Sequence, residues 1–173
     1  MEDLPSGLGD RGRYLPQSMM NVLAVTSKGY EYKIDGKPYP QPHVQSDFSV
    51  DGDSLAATFN FENDRPWFGQ TCFETIEPHR TELLLQLRGI KPTNNQFDTN
   101  RFVLYRCHCG DDNCGIISCG IERIGNIVRW TDVRYEADLD PEDEPMYHGG
   151  VPELVFDTNE YDSTIERIGQ NGT

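Results

Sequence analysis

Three dipeptides able to turn a chain back on itself, Asp35-Gly36, Asp51-Gly52 and Gly125-Asn126, each lie between short segments with strand character. Glycine, asparagine and aspartate supply the positive φ that tight hairpins need, so each dipeptide predicts two antiparallel strands joined at that point. The flanking residues agree. Residues 21–26 are β-branched, and 30–34 alternate in polarity before Asp35. Residues 47–50 and 55–61 flank the second turn, and Gly115–Ile124 and Ile127–Trp130 flank the third. Phe102–Tyr105 predicts a further buried strand and Glu153–Phe156 a last short one.

Two helices are expected beside these hairpins. Residues 77–87 place Pro78 in a first turn, follow it with leucines and end before Gly89. Asp157 or Thr158 caps a second helix in which Tyr161, Ile165 and Ile168 recur at helical spacing. Residues 63–69 read as a loop, because Pro66 disfavours helix before it. Strands, a helix, more strands and a helix predict an α+β fold with a mainly antiparallel sheet. A cysteine-rich knuckle joins two of its strands. Residues 1–18, rich in glycine, proline and charge, are expected to form a loose arm ahead of a single domain spanning 19–173.

The knuckle is the least probable stretch by composition. Cys107, Cys109, Cys114 and Cys119 fall within thirteen residues, interrupted by Gly110 and Gly115. Close thiols around glycine turns suit a tetrahedral metal, and zinc is the expected ion. Cys107, Cys109 and Cys114 can converge. Cys119 lies on a strand that shares a face with Ile117 and Ile121, so it is either a fourth ligand or a core thiol; His148 or Cys72 are other sources. Reduced, half-buried cysteines without metal fit the same pattern. A redox pair is disfavoured because no Cys-x-x-Cys opens a helix.

Charge supplies the second constraint. Fifteen Lys and Arg stand against 29 Asp and Glu, a net charge of −14, which excludes a polyanionic partner such as nucleic acid. Ten of those excess negative charges fall after Trp130, most densely through Glu136, Asp138, Asp140, Glu142, Asp143 and Glu144. Such a run is either a solubilising loop or a steering patch for a basic protein, with aromatics such as Tyr135, Tyr147 or Trp67 as anchoring contacts. His43, His79, His108 and His148 sit in no motif that fixes a nucleophile and base together, and no glycine loop has phosphate-binding spacing. No apolar stretch is long enough to span a membrane. The start lacks a basic region followed by an apolar one, so a cytoplasmic chain is expected.

From Phe102 to Trp130, the Val-Leu-Tyr-Arg-Cys strand, the two Cys-Gly steps and the Ile-Val-Arg-Trp strand resemble a family of small, mostly uncharacterised bacterial proteins with such a knuckle. Phe156-Asp157 and Tyr161 extend the similarity, which covers roughly residues 75–173. The resemblance implies this fold and a metal site more than an activity, with other residues standing where Cys119 is. Charge, size, lack of a catalytic motif and the resemblance together lead to one expectation. The chain is a non-enzymatic acidic protein that neutralises a basic bacterial toxin by direct binding, an immunity protein. The alternatives are a zinc-stapled regulatory or structural domain and a cysteine-dependent enzyme built on Cys109 beside His108.

Overall fold

A computed structural model describes residues 19–30, 33–34, 37–38, 43–59, 68–107, 111–137 and 151–170. Side chains are described throughout these spans except at 28–30, 33–34, 37–38, 43–45, 68–70, 107 and 114. The predicted arm, residues 1–18, lies outside them. In chain order the strands are β1 (Leu23–Tyr30), β2 (Lys33–Ile34), β3 (Lys37–Pro38), β4 (His43–Val50), β5 (Asp53–Ser54), β6 (Phe68–Gln70), β7 (Phe102–Cys107), β8 (Ile116–Ile124), β9 (Ile127–Glu136) and β10 (Leu154–Asp157). The helices are α1 (Leu55–Thr58), α2 (His79–Leu87) and α3 (Thr158–Gln170). Five strands pair in the order β10-β9-β8-β7-β6, three in the order β1-β4-β5, and β2 pairs with β3. Every pairing is antiparallel. The fold is α+β, as the turn signals predict.

The hairpins form at the expected places. Val50 faces Asp53 across Asp51 and Gly52, whose φ values of 56° and 93° give the two left-handed residues of a tight hairpin turn. Ile124 faces Ile127 across Gly125, and Ile34 faces Lys37 across residues 35–36, which lie outside the described residues.

Three local expectations are corrected. Residues 55–59 do not return as a strand, and 60–61 lie outside the described residues: β5 is two residues long and α1 follows at once. Ser54 caps that helix, its Oγ accepting from the Ala57 amide at 3.1 Å while donating to the Asp47 carboxylate at 2.5 Å. Leu55 and Phe59, four residues apart, are both buried, which is a helical spacing. Phe68 and Gly69 are not loop but part of β6, an edge strand on β7. Finally, β9 does not stop at Trp130. It continues to Glu136 through an irregularity at Asp132, φ 48°, where the register shifts.

The core lies between the two sheets and under the helices. Trp130 on β9 is fully buried and meets Phe48 of β4 edge-on at 5.4 Å, Phe156 of β10 at 5.3 Å and Tyr161 of α3 at 6.2 Å. Its Nε1 donates to the Tyr161 hydroxyl at 3.0 Å, which donates to the Leu87 carbonyl at the end of α2 at 2.6 Å. One hydrogen-bonded chain therefore ties sheet, α3 and α2. The predicted cap of α3 is present: Asp157 Oδ1 accepts from the amides of Asn159 and Glu160. Gly89, φ 66°, follows α2 as predicted. No helix among the described residues is long and apolar enough to cross a membrane.

Candidate interaction site

Register brings the strand ends that border the two unusual stretches of the sequence to one end of the five-stranded sheet. Phe68 pairs with Cys107, Arg106 with Ile116, and Ile116 with Glu136. The start of β6, the end of β7, the start of β8 and the end of β9 therefore stand side by side. From these positions the chain continues into residues 60–67, 108–110 and 138–150, all outside the described residues. They include Trp67, Cys109, Asp138, Asp140, Glu142, Asp143, Glu144 and Tyr147.

The described part of the cysteine run is a 3-10 turn at Asp112–Cys114, capped by Asp111, whose carboxylate accepts from the Asn113 amide at 2.9 Å. Gln96 donates to Asn113 Oδ1, and Arg106 lies 3.4 Å from Asp112. Burial pushes the Asp112 carboxyl above its usual range, with Arg106 opposing. Gly115, φ 99°, leaves the turn under the ring of Tyr135: a Cβ there would lie 2.2 Å from the Tyr135 hydroxyl. Only glycine fits both that angle and that approach. Tyr135 is thus half-buried against the core and closes the turn.

Of the predicted metal ligands, the backbone of Cys107 ends β7 and that of Cys114 lies in the turn; their side chains, like all of Cys109, are outside the described residues. Cys119 takes the second of its two expected places. It is fully buried in the hydrophobic core opposite Phe102, and burial pushes its thiol far up. Cys72 is buried in the same core. Among the described residues no group of three or more His, Cys, Asp or Glu could hold a metal ion.

Glu136 is the first carboxylate of the acidic run, and only 8% of its side chain is exposed. One oxygen accepts from Ser118 at 2.6 Å, Asn95 at 3.0 Å and Thr99 at 3.1 Å; the other accepts from Arg134 at 3.1 Å and lies 3.5 Å from Arg101. Burial alone would raise this carboxyl. The hydrogen bonds from Ser118, Arg134 and Thr99 and the charge of Arg101 outweigh it and hold the group below its usual range. Arg101, itself buried, also donates to Ser118 and to the carboxylate of Asp132, which projects from the irregularity in β9. Sequence reasoning missed this network. Its one visible trace is Ser118, a polar residue between Ile117 and Cys119 in an apolar strand.

Further cations among the described residues are committed in the same way. Arg88 and Arg123 share Asp162, Arg88 also reaches Glu166, Arg129 on β9 bridges Glu122 of β8 and Glu153 just before β10, and Lys91 holds Glu82. With those of Arg101, Arg106 and Arg134, these pairs bind most of the described basic groups to carboxylates of the same chain. Compared with protein-family models, curated proteins and solved structures, the chain matches none of them.

Proposed function

We propose that this protein is a non-enzymatic, cytoplasmic acidic binding protein that takes a basic partner at the loop end of its five-stranded sheet. We read it as an immunity protein that neutralises a basic bacterial toxin by direct association. One observation carries the reading. The acidic run departs from Glu136, beside the described strand ends that border the cysteine run and the Trp67 segment, while Arg88, Arg101, Arg106, Arg123, Arg129 and Arg134 are paired with carboxylates of the same chain. A field of one sign steers an oppositely charged protein and speeds its encounter. Glu142, Asp143 and Glu144 are assigned to steering and Tyr147 and Trp67 to contact, while Tyr135 packs over Gly115.

Co-expression with the product of the neighbouring gene, followed by affinity capture, tests this reading. A stable complex that salt weakens supports it; a neighbour that is acidic or does not associate counts against it. A second reading, a zinc-stapled domain, is favoured by the pinned turn at Asp112–Gly115 between two strand ends. Elemental analysis of chelator-free protein would then give about one zinc per chain. Zinc near zero with freely titratable thiols at Cys107, Cys109 and Cys114 rules it out.

A further inference from the structure

We infer that Glu136, the first carboxylate of the acidic run, is a positioning residue and not a partner contact: it locks the 93–101 loop to the strand ends from which the acidic and cysteine segments leave. The inference rests on the functional reading above and assigns a different role to one residue of its surface. Five polar groups from three parts of the chain converge on this carboxylate. Asn95 and Thr99 come from the loop before β7, Arg101 from its end, Ser118 from β8, and the Arg134 guanidinium from two residues earlier on β9. The donors are linked among themselves. Asn95 donates to Thr99 at 2.8 Å, and Arg101 Nε donates to Ser118 Oγ at 2.9 Å, so each hydroxyl passes a hydrogen bond on to Glu136.

A carboxylate held by this many donors is not available to an incoming cation, because a partner would have to break bonds already made in a water-poor site. It can still act on binding through geometry. Ala137 follows directly, and Ile116, the register partner of Glu136, begins the strand that leaves the cysteine turn. The same loop reaches that turn a second time through Gln96 and Asn113. A change at Glu136 therefore reaches both segments of the proposed surface through direct bonds.

The test uses the full nitrogen-labelled chain and decalysine as the basic probe, with two charge-matched variants. Glu136→Gln keeps shape but turns one oxygen into a donor facing donors. Glu166→Gln removes the same charge from an exposed site on α3. The expected result is shifted amide resonances at Asn95, Thr99, Gly115 and Ala137 in E136Q alone, with decalysine affinity roughly two- to thirtyfold below that of E166Q. Thr99→Val deletes one donor without altering charge, and it decides the matter if E136Q does not fold: it should move the same resonances and lower affinity at least about twofold. If wild type binds decalysine and neither E136Q nor T99V weakens binding beyond E166Q, the positioning role is wrong and the basic-partner reading stands. If wild type does not bind decalysine even at low salt, both fail.

Discussion

Replacing Tyr161 by Phe removes one oxygen from the centre of the core and strands two polar groups. The hydroxyl accepts from Trp130 Nε1 at 3.0 Å and donates to the Leu87 carbonyl at 2.6 Å, and the ring is 1% exposed. Leu87 ends α2, so its carbonyl lacks a partner within the helix. Each buried group left without a hydrogen bond costs about 1–3 kcal/mol, and the ring itself keeps its contacts, so the expected loss is about 2–6 kcal/mol. For a chain of this length that lowers the melting temperature by roughly 4–24 °C. Urea unfolding followed by tryptophan fluorescence gives the comparison directly, with the denaturant slope unchanged because the buried surface is unchanged. A loss below about 1 kcal/mol would refute the claim that this hydrogen-bonded chain ties α2 and α3 to the sheet.

Gly115→Ala should cost roughly 2–4 kcal/mol, from the left-handed backbone and the collision with Tyr135. Gly125→Ala, which meets nothing within 4 Å, should cost only the backbone share of about 1–2 kcal/mol. Equal losses in a thermal melt would dismiss the Tyr135 contact. Acid should unfold the protein from two places at once. The Glu136 and Asp162 carboxyls are both held below their usual range: burial opposes ionisation in each, but donors from Ser118 and Arg134 in one and Arg123 and Arg88 in the other prevail. Their contribution is therefore complete above about pH 5 and is lost as pH falls through the ordinary carboxylate range toward the lower folded-state values. Asp162→Asn should reduce stability at neutral pH and flatten the acid limb of a stability-against-pH curve; an unaltered limb would show that Asp162 is not linked to folding.

Much of the fold can be read from local chemistry. Asp51-Gly52 and Gly125-Asn126 announce hairpins because few residues accept the backbone angles those turns require. Asp157 and Gly89 mark helix ends for equally local reasons. What the sequence hid depends on contacts between distant residues. Ala56 and Ala57 follow Asp51-Gly52 as a strand would, and the helix forms because Ser54 caps it while Asp47, seven residues away, fixes that serine. Strand β9 runs beyond Trp130 because Val133 reaches the core past a register shift that no periodicity reveals. The same limit applies to the site. The cysteine and acidic runs are conspicuous by composition, but that the strands bordering them end side by side is a property of register. Glu136 looks like the other acids in its run, and only the donors around it set it apart.

The central claim is that the acidic run steers a basic partner to the loop end of the sheet. The most direct measurement is the association rate with the captured partner at low, physiological and high salt, for wild type and for E142Q/D143N/E144Q. Screening shortens to about 8 Å at physiological ionic strength, so steering predicts a rate that falls steeply with added salt. The triple variant should associate several-fold more slowly at low salt, show a shallower salt dependence and dissociate at nearly the wild-type rate. An association rate indifferent to both salt and the triple substitution would contradict the account.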